Sequence, residues 1–303
     1  MTALVVGLGP VDPALVTPYL GADVRFEPNP TADDLAAAQG AIVRAAVDVD
    51  RELLARMPAL RVIARPGVGG GRVDLAAAAE REIPVAITPG SNARAVAEGT
   101  FAYLLALVKR VPESHAYVAG GRWGIDPVPV PGDLDGKVLA VVGFGRIGRI
   151  VAGLGAAFGM SVIVHDPFVR AEAFENVPLE EAVARADAIT LHLPGGDGEL
   201  LDRTLLETAR PGLVLVNCAR AELISTGTLE WALDAGILRG VGLDVFTDEP
   251  IRNHPLANDP RVLLSPHTSG LSEAAMAATF RMAAEAVANT LQGRYPTFIV
   301  NFA

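Results

Sequence analysis

Short apolar runs alternate with helix-like stretches through residues 1–91. Candidate strands are Ala3–Val6, Val24–Phe26, Gly40–Val43, Arg61–Ala64 and Val85–Ile87; candidate helices include Thr31–Ala38, Asp50–Arg56 and Val73–Arg81. Alternation of this kind predicts βαβ units and a parallel sheet. A longer helical segment begins near Asn92, with Ser91 or Asn92 as N-cap. Val96, Phe101, Leu104, Leu105 and Val108 give it a broad apolar face as far as Pro112. A proline-rich connector, Ile125–Leu134, follows. The alternation then resumes, with strands at Val138–Val142, Met160–Val164, Ala188–Leu191, Leu213–Asn217, Gly240–Val245 and Val262–Leu264, and runs to about Gly270. Another helix, near Glu273–Gln292, and an extended tail, Thr297–Asn301, complete the pattern.

The strand Val138–Val142 leads straight into Gly143-Phe144-Gly145-Arg146-Ile147-Gly148. Ile147, Val151, Leu154 and Phe158 then fall on one helical face, and the next apolar run ends at Asp166. Each part suits a dinucleotide. Gly143 permits a tight turn, Gly145 lets the backbone approach a pyrophosphate, and Gly148 lets helix and strand pack closely. N–H groups at the helix start, around Arg146 and Ile147, face the phosphates. Asp166 can accept from the adenosine ribose hydroxyls. It would repel a 2′-phosphate, and Pro167-Phe168 offer no cation to clamp one, Arg170 being the one exception, so NAD is expected over NADP. The early Val6-Gly7-Leu8-Gly9-Pro10 imitates this turn, but it lacks the third glycine and is read as an ordinary strand end.

Composition narrows the classes. The chain has 303 residues, half of them hydrophobic and 20% charged, enough for about two domains. A net charge of −10 argues against bulk binding to nucleic acid or an anionic membrane. Cys218 is the only cysteine, which fits a reducing compartment. The first residues lack a signal-peptide pattern, and no apolar run reaches the ~18 residues of a membrane span. The expectation is a cytoplasmic protein. No His, Cys, Asp and Glu grouping has metal-ligand spacing.

Arg220, Glu249 and His267 stand just beyond three successive predicted strands. In an open parallel sheet, ligands bind outside the carboxyl ends of the strands, so the three should converge where the Gly143 turn also faces. Hydride transfer to a ketone creates an alkoxide that needs a proton. A histidine, with an unperturbed pKa of ~6.5, can supply it. A neighbouring carboxylate favours the imidazolium. An arginine can grip a substrate carboxylate with its planar fork. The set suits interconversion of a 2-hydroxy acid and a 2-keto acid.

These residues sit in VNCAR (Val216–Arg220), GLDVFTDEP (Gly242–Pro250) and SPHTSG (Ser265–Gly270), in that order behind the glycine motif. Together they resemble the D-isomer-specific 2-hydroxyacid dehydrogenases, the 3-phosphoglycerate dehydrogenase branch above all. Upstream, AIVRAA (Ala41–Ala46), RPGVG (Arg65–Gly69) and TPGSNARAVAEGT (Thr88–Thr100) are similar to the same family. The resemblance implies an α/β protein of two doubly wound parallel-sheet domains with an active-site cleft between them. A Rossmann NAD-binding domain would span 92–270. A flavodoxin-like substrate-binding domain would be assembled from 1–91 and 271–303. It also implies a homodimer held through the NAD-binding domain. It puts substrate grip and carbonyl polarisation on Arg220, a supporting carboxylate on Glu249 and the acid/base role on His267. Asp244 would contact the nicotinamide amide, with Val68, Leu193, Cys218 and Ala219 as further cofactor contacts.

The chain departs from the family pattern in several places. Ala221 replaces a glycine, Ser225 stands where an acid is expected, and Glu98 is followed by Gly99 instead of a histidine. The run after Gly69 is Gly70-Gly71-Arg72 in place of Val-Asp-Asn. The loop after His192-Leu193-Pro194 is Gly195-Gly196-Asp197-Gly198, and shorter. Arg44 and Arg65 follow strands at the ends expected to face the cleft. With Arg72 and the loop glycines Gly67 and Gly69, they point to a small anionic 2-keto acid carrying a second negative group. Glyoxylate or hydroxypyruvate reduction is the alternative within the family, and formate- or phosphite-type oxidation is a further one. A non-catalytic NAD-sensing corepressor or interaction protein is the rival of another class. His192, ending an apolar strand, suits structural hydrogen bonding as well as function.

Overall fold

The computed structural model describes residues 2–44, 46–196 and 198–302. Met1, Ala45, Asp197 and Ala303 lie outside the described residues, so Ala45 of the AIVRAA motif and Asp197 of the shortened loop go with them. The chain forms two compact units, one of Met1–Asn92 with Ser272–Ala303 and one of Ala93–Leu271.

In the first unit the strands are β1 (Ala3–Leu8), β2 (Val24–Glu27), β3 (Gly40–Val43), β4 (Val62–Arg65) and β5 (Val85–Ile87). They form a parallel sheet in the order β2-β1-β3-β4-β5, the flavodoxin-like doubly wound order. Both faces are apolar, as a covered parallel sheet requires. Leu4, Val6, Val43 and Ile63 join one cluster. Val5, Ile42 and Val62 join another, with Phe280, Ala283 and Val287 of the helix Glu273–Leu291. Thr31, Asp50 and Asp74 are caps rather than helical residues, their side chains accepting from backbone N–H groups of the first turn. The helix Pro13–Leu20 had no place in the pattern; Asp12 caps it, and Pro13 opens it where a missing N–H is harmless. The extended tail pairs against β5, with Ile87 N donating to Phe298 O at 2.9 Å and Val300 N to Val85 O at 3.1 Å.

The second unit contains β6 (Val138–Val142), β7 (Ser161–His165), β8 (Glu175–Asn176), β9 (Ala188–Leu191), β10 (Leu213–Asn217), β11 (Leu238–Leu243) and β12 (Val262–Leu264). Their parallel order is β12-β11-β10-β9-β6-β7-β8. The reversal between β6 and β9 is the topological switch point of a Rossmann sheet. Two differences from the pattern matter. The long helix ends at Val108, and a new helix, Val111–Ala119, follows. Pro112 thus opens a helix instead of closing one, because Arg110, at φ 53°, has already turned the chain. The strand expected at Gly240–Val245 stops at Leu243, so Asp244 stands beyond the strand end. Among the described residues no helix is long and apolar enough to cross a membrane.

Candidate active site

The turn after β6 has the shape a dinucleotide needs. Gly143 has φ 96°, and a Cβ there would lie 2.7 Å from the carbonyl carbon and oxygen of His192. A Cβ on Gly148 would lie 2.0 Å from the Gly143 carbonyl oxygen. One on Gly145 would meet nothing within 4 Å, which leaves room for a ligand to approach the backbone. Gly145 is also the N-cap of the helix Arg146–Ala157, which contains Ile147, and no side chain caps that helix. NAD therefore fits this turn. Asp166, just past β7, accepts from Phe168 N at 2.8 Å and Val169 N at 2.9 Å through one oxygen, and from Phe144 N at 2.7 Å through the other. Burial pushes this carboxyl up, but the three backbone donors outweigh it and hold the group below the usual carboxylate range. Asp166 thus braces the glycine turn. A carboxylate has about four acceptor positions, so capacity remains for a ribose hydroxyl. Leu193 packs against the same turn, its Cδ2 2.9 Å from the Cβ position of Gly143.

His267 follows β12, and its Nδ1 lies 2.9 Å from Glu249 Oε2. The other oxygen of Glu249 accepts from Phe246 N at 3.0 Å, which fixes the carboxylate on the loop after β11. Both side chains are partly exposed, at 56% and 37%. His267 itself has φ 55°, an uncommon left-handed conformation for a non-glycine residue. Asp244 holds that loop in place. It is 2% exposed, and its carboxylate accepts from Thr268 N at 2.8 Å, Ser269 N at 3.0 Å and the Ser265 hydroxyl. Asp244 is thus bound within the protein by three donors. The Tyr103 hydroxyl stands 3.1 Å from Leu243 O and within reach of Ser265 Oγ. Burial drives the Tyr103 phenol up to about 12, so it remains protonated.

Arg220 lies exposed past β10, with Nη1 donating to the Ala219 carbonyl at 2.6 Å. Asn217, 1% exposed, shapes this turn: Ala219 N donates to its Oδ1 at 3.0 Å, and its Nδ2 donates to Arg220 O at 2.7 Å. Cys218 is half-buried 3.7 Å from Ser269 Oγ, and burial pushes its thiol up to about 11, which suits packing and not nucleophilic attack. His192 makes no structural hydrogen bond through its ring. Both ring nitrogens are buried without a hydrogen-bond partner among the described residues, and burial drives the imidazole down to about 3.

In the first unit, Arg44 and Arg65 are both half-buried at the ends of adjacent strands, β3 and β4. The Arg44 guanidinium lies 5.3 Å from the Phe280 ring centroid. Arg65 Nε donates to Gly70 O at 3.1 Å. Arg72 is exposed and already paired with Asp48 at 3.2 Å, which weakens its candidacy as an anion receptor. Gly67 is tied to Thr88, its N–H donating to Oγ1 at 2.8 Å; Gly69 has open space at its Cβ position, and Val68 is exposed.

Asn217, Tyr103 and Ser265 carry the support of the site and were not singled out by sequence. Only their adjacency to the motifs marked them. Glu199 is another. Its carboxylate accepts from Ser225 N and from Thr228 Oγ1 at the start of the helix Thr226–Asp234, so it supplies a negative charge beside the position where Ser225 replaces an acid.

Comparison with known proteins adds a lineage. The family model for the D-isomer specific 2-hydroxyacid dehydrogenase, NAD binding domain, matches residues 101–269. The chain is 36% identical over 290 residues to D-3-phosphoglycerate dehydrogenase of Mycobacterium bovis, covering 92% of this chain and 55% of that protein. It therefore spans about half the length of that relative. It is 33% identical over 306 residues to glyoxylate reductase of Aeropyrum pernix, covering 95% and 91%. A solved structure from Thermus thermophilus superposes with a TM-score of 0.85 at 34% identity, covering 98% of this chain and 99% of that one.

Proposed function

The chain belongs to the D-isomer specific 2-hydroxyacid dehydrogenase family, and from that premise we propose that it interconverts a small 2-hydroxy acid and its 2-keto acid with NAD. The observation that carries this reading is the 2.9 Å contact between His267 Nδ1 and Glu249 Oε2. It leaves Nε2 as the nitrogen that meets substrate. The bound nicotinamide supplies or takes up the hydride. Arg220 clamps the substrate carboxylate and polarises the adjacent carbonyl. In reduction, His267 Nε2 delivers the proton to the carbonyl oxygen, and the Glu249 carboxylate steadies the imidazolium that gives it. In oxidation, neutral His267 takes the hydroxyl proton. Gly143, Gly145 and Gly148 seat the cofactor, with Arg146, Ile147, Asp166, Leu193, Cys218 and Ala219 around it.

The substrate carries a second anionic group, for which Arg44 and Arg65 are the receptors. A phosphoglycerate-like or otherwise dianionic keto acid is favoured over glyoxylate and hydroxypyruvate. The test is NADH consumption against phosphorylated, dicarboxylic and simple 2-keto acids. Turnover with a preference for the first two groups supports the reading. Tight NADH binding with no turnover across the panel would leave a cofactor-sensing protein in its place. Equal efficiency with NADPH would remove the assignment to NAD.

The partner is a second copy of the chain, docking through the NAD-binding unit. Val111, Val118, Trp123, Ile125, Val128 and Val130 are exposed within one stretch, Trp123 at 83%, and clustered exposed apolar residues mark interaction surfaces. Sedimentation should give a dimer that Trp123→Arg weakens; a monomer at micromolar concentration would refute it. The single cysteine suits residence in the cytoplasm.

A further inference from the structure

Good helix formers fill most of the helix Ala93–Val108, but Gly99 sits in its interior, where glycine is the poorest choice after proline. It is also one of the places where the chain departs from the family pattern. The space around it explains the choice. A Cβ on Gly99 would stand 2.9 Å from both Cβ and Oγ of Ser269 and 3.4 Å from its Cα. Oγ could swing to another rotamer, but Cβ and Cα move only with the backbone. That backbone is held. Ser269 N donates to Asp244 Oδ2 at 3.0 Å, beside Thr268 N on Oδ1 at 2.8 Å. Carbon atoms settle about 3.5–4.0 Å apart, so a side chain at position 99 would push Ser269 back by roughly 0.6–1.1 Å and strain those two bonds.

One helical turn further along, on the same face, Tyr103 reaches the other end of the same loop. Its ring lies on the bare backbone of Gly242, where a Cβ would stand 2.8 Å from Tyr103 Cβ, Cγ and Cδ1. Its hydroxyl meets Ser265 Oγ. The Ser265 hydroxyl donates to the Asp244 carboxylate, which can only accept, so the serine oxygen is left to take the Tyr103 proton. Residues 265 and 269 bracket His267, which stands at φ 55° with Nδ1 on Glu249. The helix therefore fixes the loop on both sides of the histidine.

We propose that Gly99 and Tyr103 are positioning residues for the general acid: this face of the helix is a cradle that seats Ser269 and Ser265, and through them sets where His267 stands. The proposal rests on the dehydrogenase reading for the role of His267. Gly99 acts by the space it leaves empty, and Tyr103 by its hydroxyl.

The test is a double-mutant cycle on Gly99→Ala and Ser269→Gly, with Tyr103→Phe beside it. Kinetics use saturating NADH with glyoxylate and with a phosphorylated 2-keto acid. Gly99→Ala should lower kcat by about ten- to hundredfold, the loss expected of a misplacement of roughly 1 Å, and leave KM for the keto acid within about twofold. In the Ser269→Gly background, where Cβ and Oγ are gone, the same change should cost about twofold or less. Tyr103→Phe keeps the ring on Gly242 and removes only the hydroxyl, so kcat should fall by less than in Gly99→Ala, again at constant KM. Amide hydrogen exchange of the free protein needs no turnover. The segment 265–271 should exchange faster in Gly99→Ala and in Tyr103→Phe than in the parent, and the double variant should exchange like Ser269→Gly alone. A Gly99→Ala loss of equal size in both backgrounds would place the defect in the helix and overturn the proposal, as would a raised KM with kcat kept. If Gly99→Ala does not fold, the double variant must, and its failure too would overturn the proposal. If no keto acid turns over while exchange follows the cycle, the dehydrogenase reading falls and the seat of the loop survives. Exchange unchanged in both Gly99→Ala and Tyr103→Phe removes the cradle whatever the kinetics.

Discussion

Two histidines follow strand ends in the seven-stranded sheet, and the protein treats them oppositely. His267, after β12, is exposed and holds Glu249 at 2.9 Å through Nδ1. His192, after β9, has both ring nitrogens buried and unpartnered, and burial drives it down to about 3. Each has a proline close by, Pro266 before one and Pro194 after the other. Placement at the carboxyl end of a parallel strand therefore does not by itself fix a histidine's surroundings. Glu249 gives one ring a carboxylate partner, and the packing around the other leaves it with none among the described residues.

The largest expected effect comes from removing the exposed histidine. His267→Ala should lower kcat by ~10²–10⁴-fold, the usual contribution of a positioned general acid, with NADH binding by fluorescence largely kept. Glu249→Gln should cost less. It leaves a hydrogen bond to the ring but removes the carboxylate charge beside it, so kcat for reduction should fall by less than in His267→Ala. A pH profile indistinguishable from the parent's would mean the two residues do not act as a pair. Were His192→Leu to cost as much as His267→Ala in kcat, the contrast between the histidines would be wrong.

A middling effect should follow from Asp244→Asn. The carboxylate satisfies two backbone donors and a hydroxyl around a histidine in a left-handed conformation. An amide accepts through one oxygen only, so one of these donors is left facing an N–H. Loss of a buried hydrogen bond costs about 1–3 kcal/mol, and the loop that carries His267 should loosen. A fall in kcat with NADH affinity nearly unchanged identifies Asp244 as a positioning residue. Weaker NADH binding with kcat retained at saturation would instead favour direct contact with the nicotinamide amide.

The sequence was most legible where function and backbone geometry coincide. The spacing of Gly143, Gly145 and Gly148 reads as a turn because steric contact permits little else there, and the parallel sheets read from short, doubly buried apolar runs such as Val214–Val216. Less legible were features decided by contacts remote in sequence. Asp244 looked like an acid inside a strand; only the fold shows Thr268 and Ser269 folding back onto it. Gly71 stood out only as a departure from the family pattern, because its closeness to Arg65 is visible only once β4 and the loop are built. Pro112 misled because proline both ends helices and begins them, and the left-handed Arg110 that decides between the two leaves no pattern in hydrophobicity.

The smallest effect is on stability, and it comes from the silent histidine. With a folded-state value of about 3 against ~6.5 in the unfolded chain, His192 is neutral in both states above that range. As pH falls below ~6.5, the unfolded chain binds a proton that the folded one refuses, so stability drops; by the linkage relation the slope is at most about 1.4 kcal/mol per pH unit until the folded value is reached. At pH 5.5 the loss relative to pH 7.5 should be about 1.4 kcal/mol. His192→Leu removes this term. Urea unfolding of the parent and the variant between pH 7.5 and 5 should therefore show the variant gaining on the parent as pH falls, whatever offset packing gives it at pH 7.5. An offset that stays constant across the range would mean the ring of His192 finds a partner for its proton in the folded protein, and the two histidines would then differ in exposure and not in their capacity to carry charge.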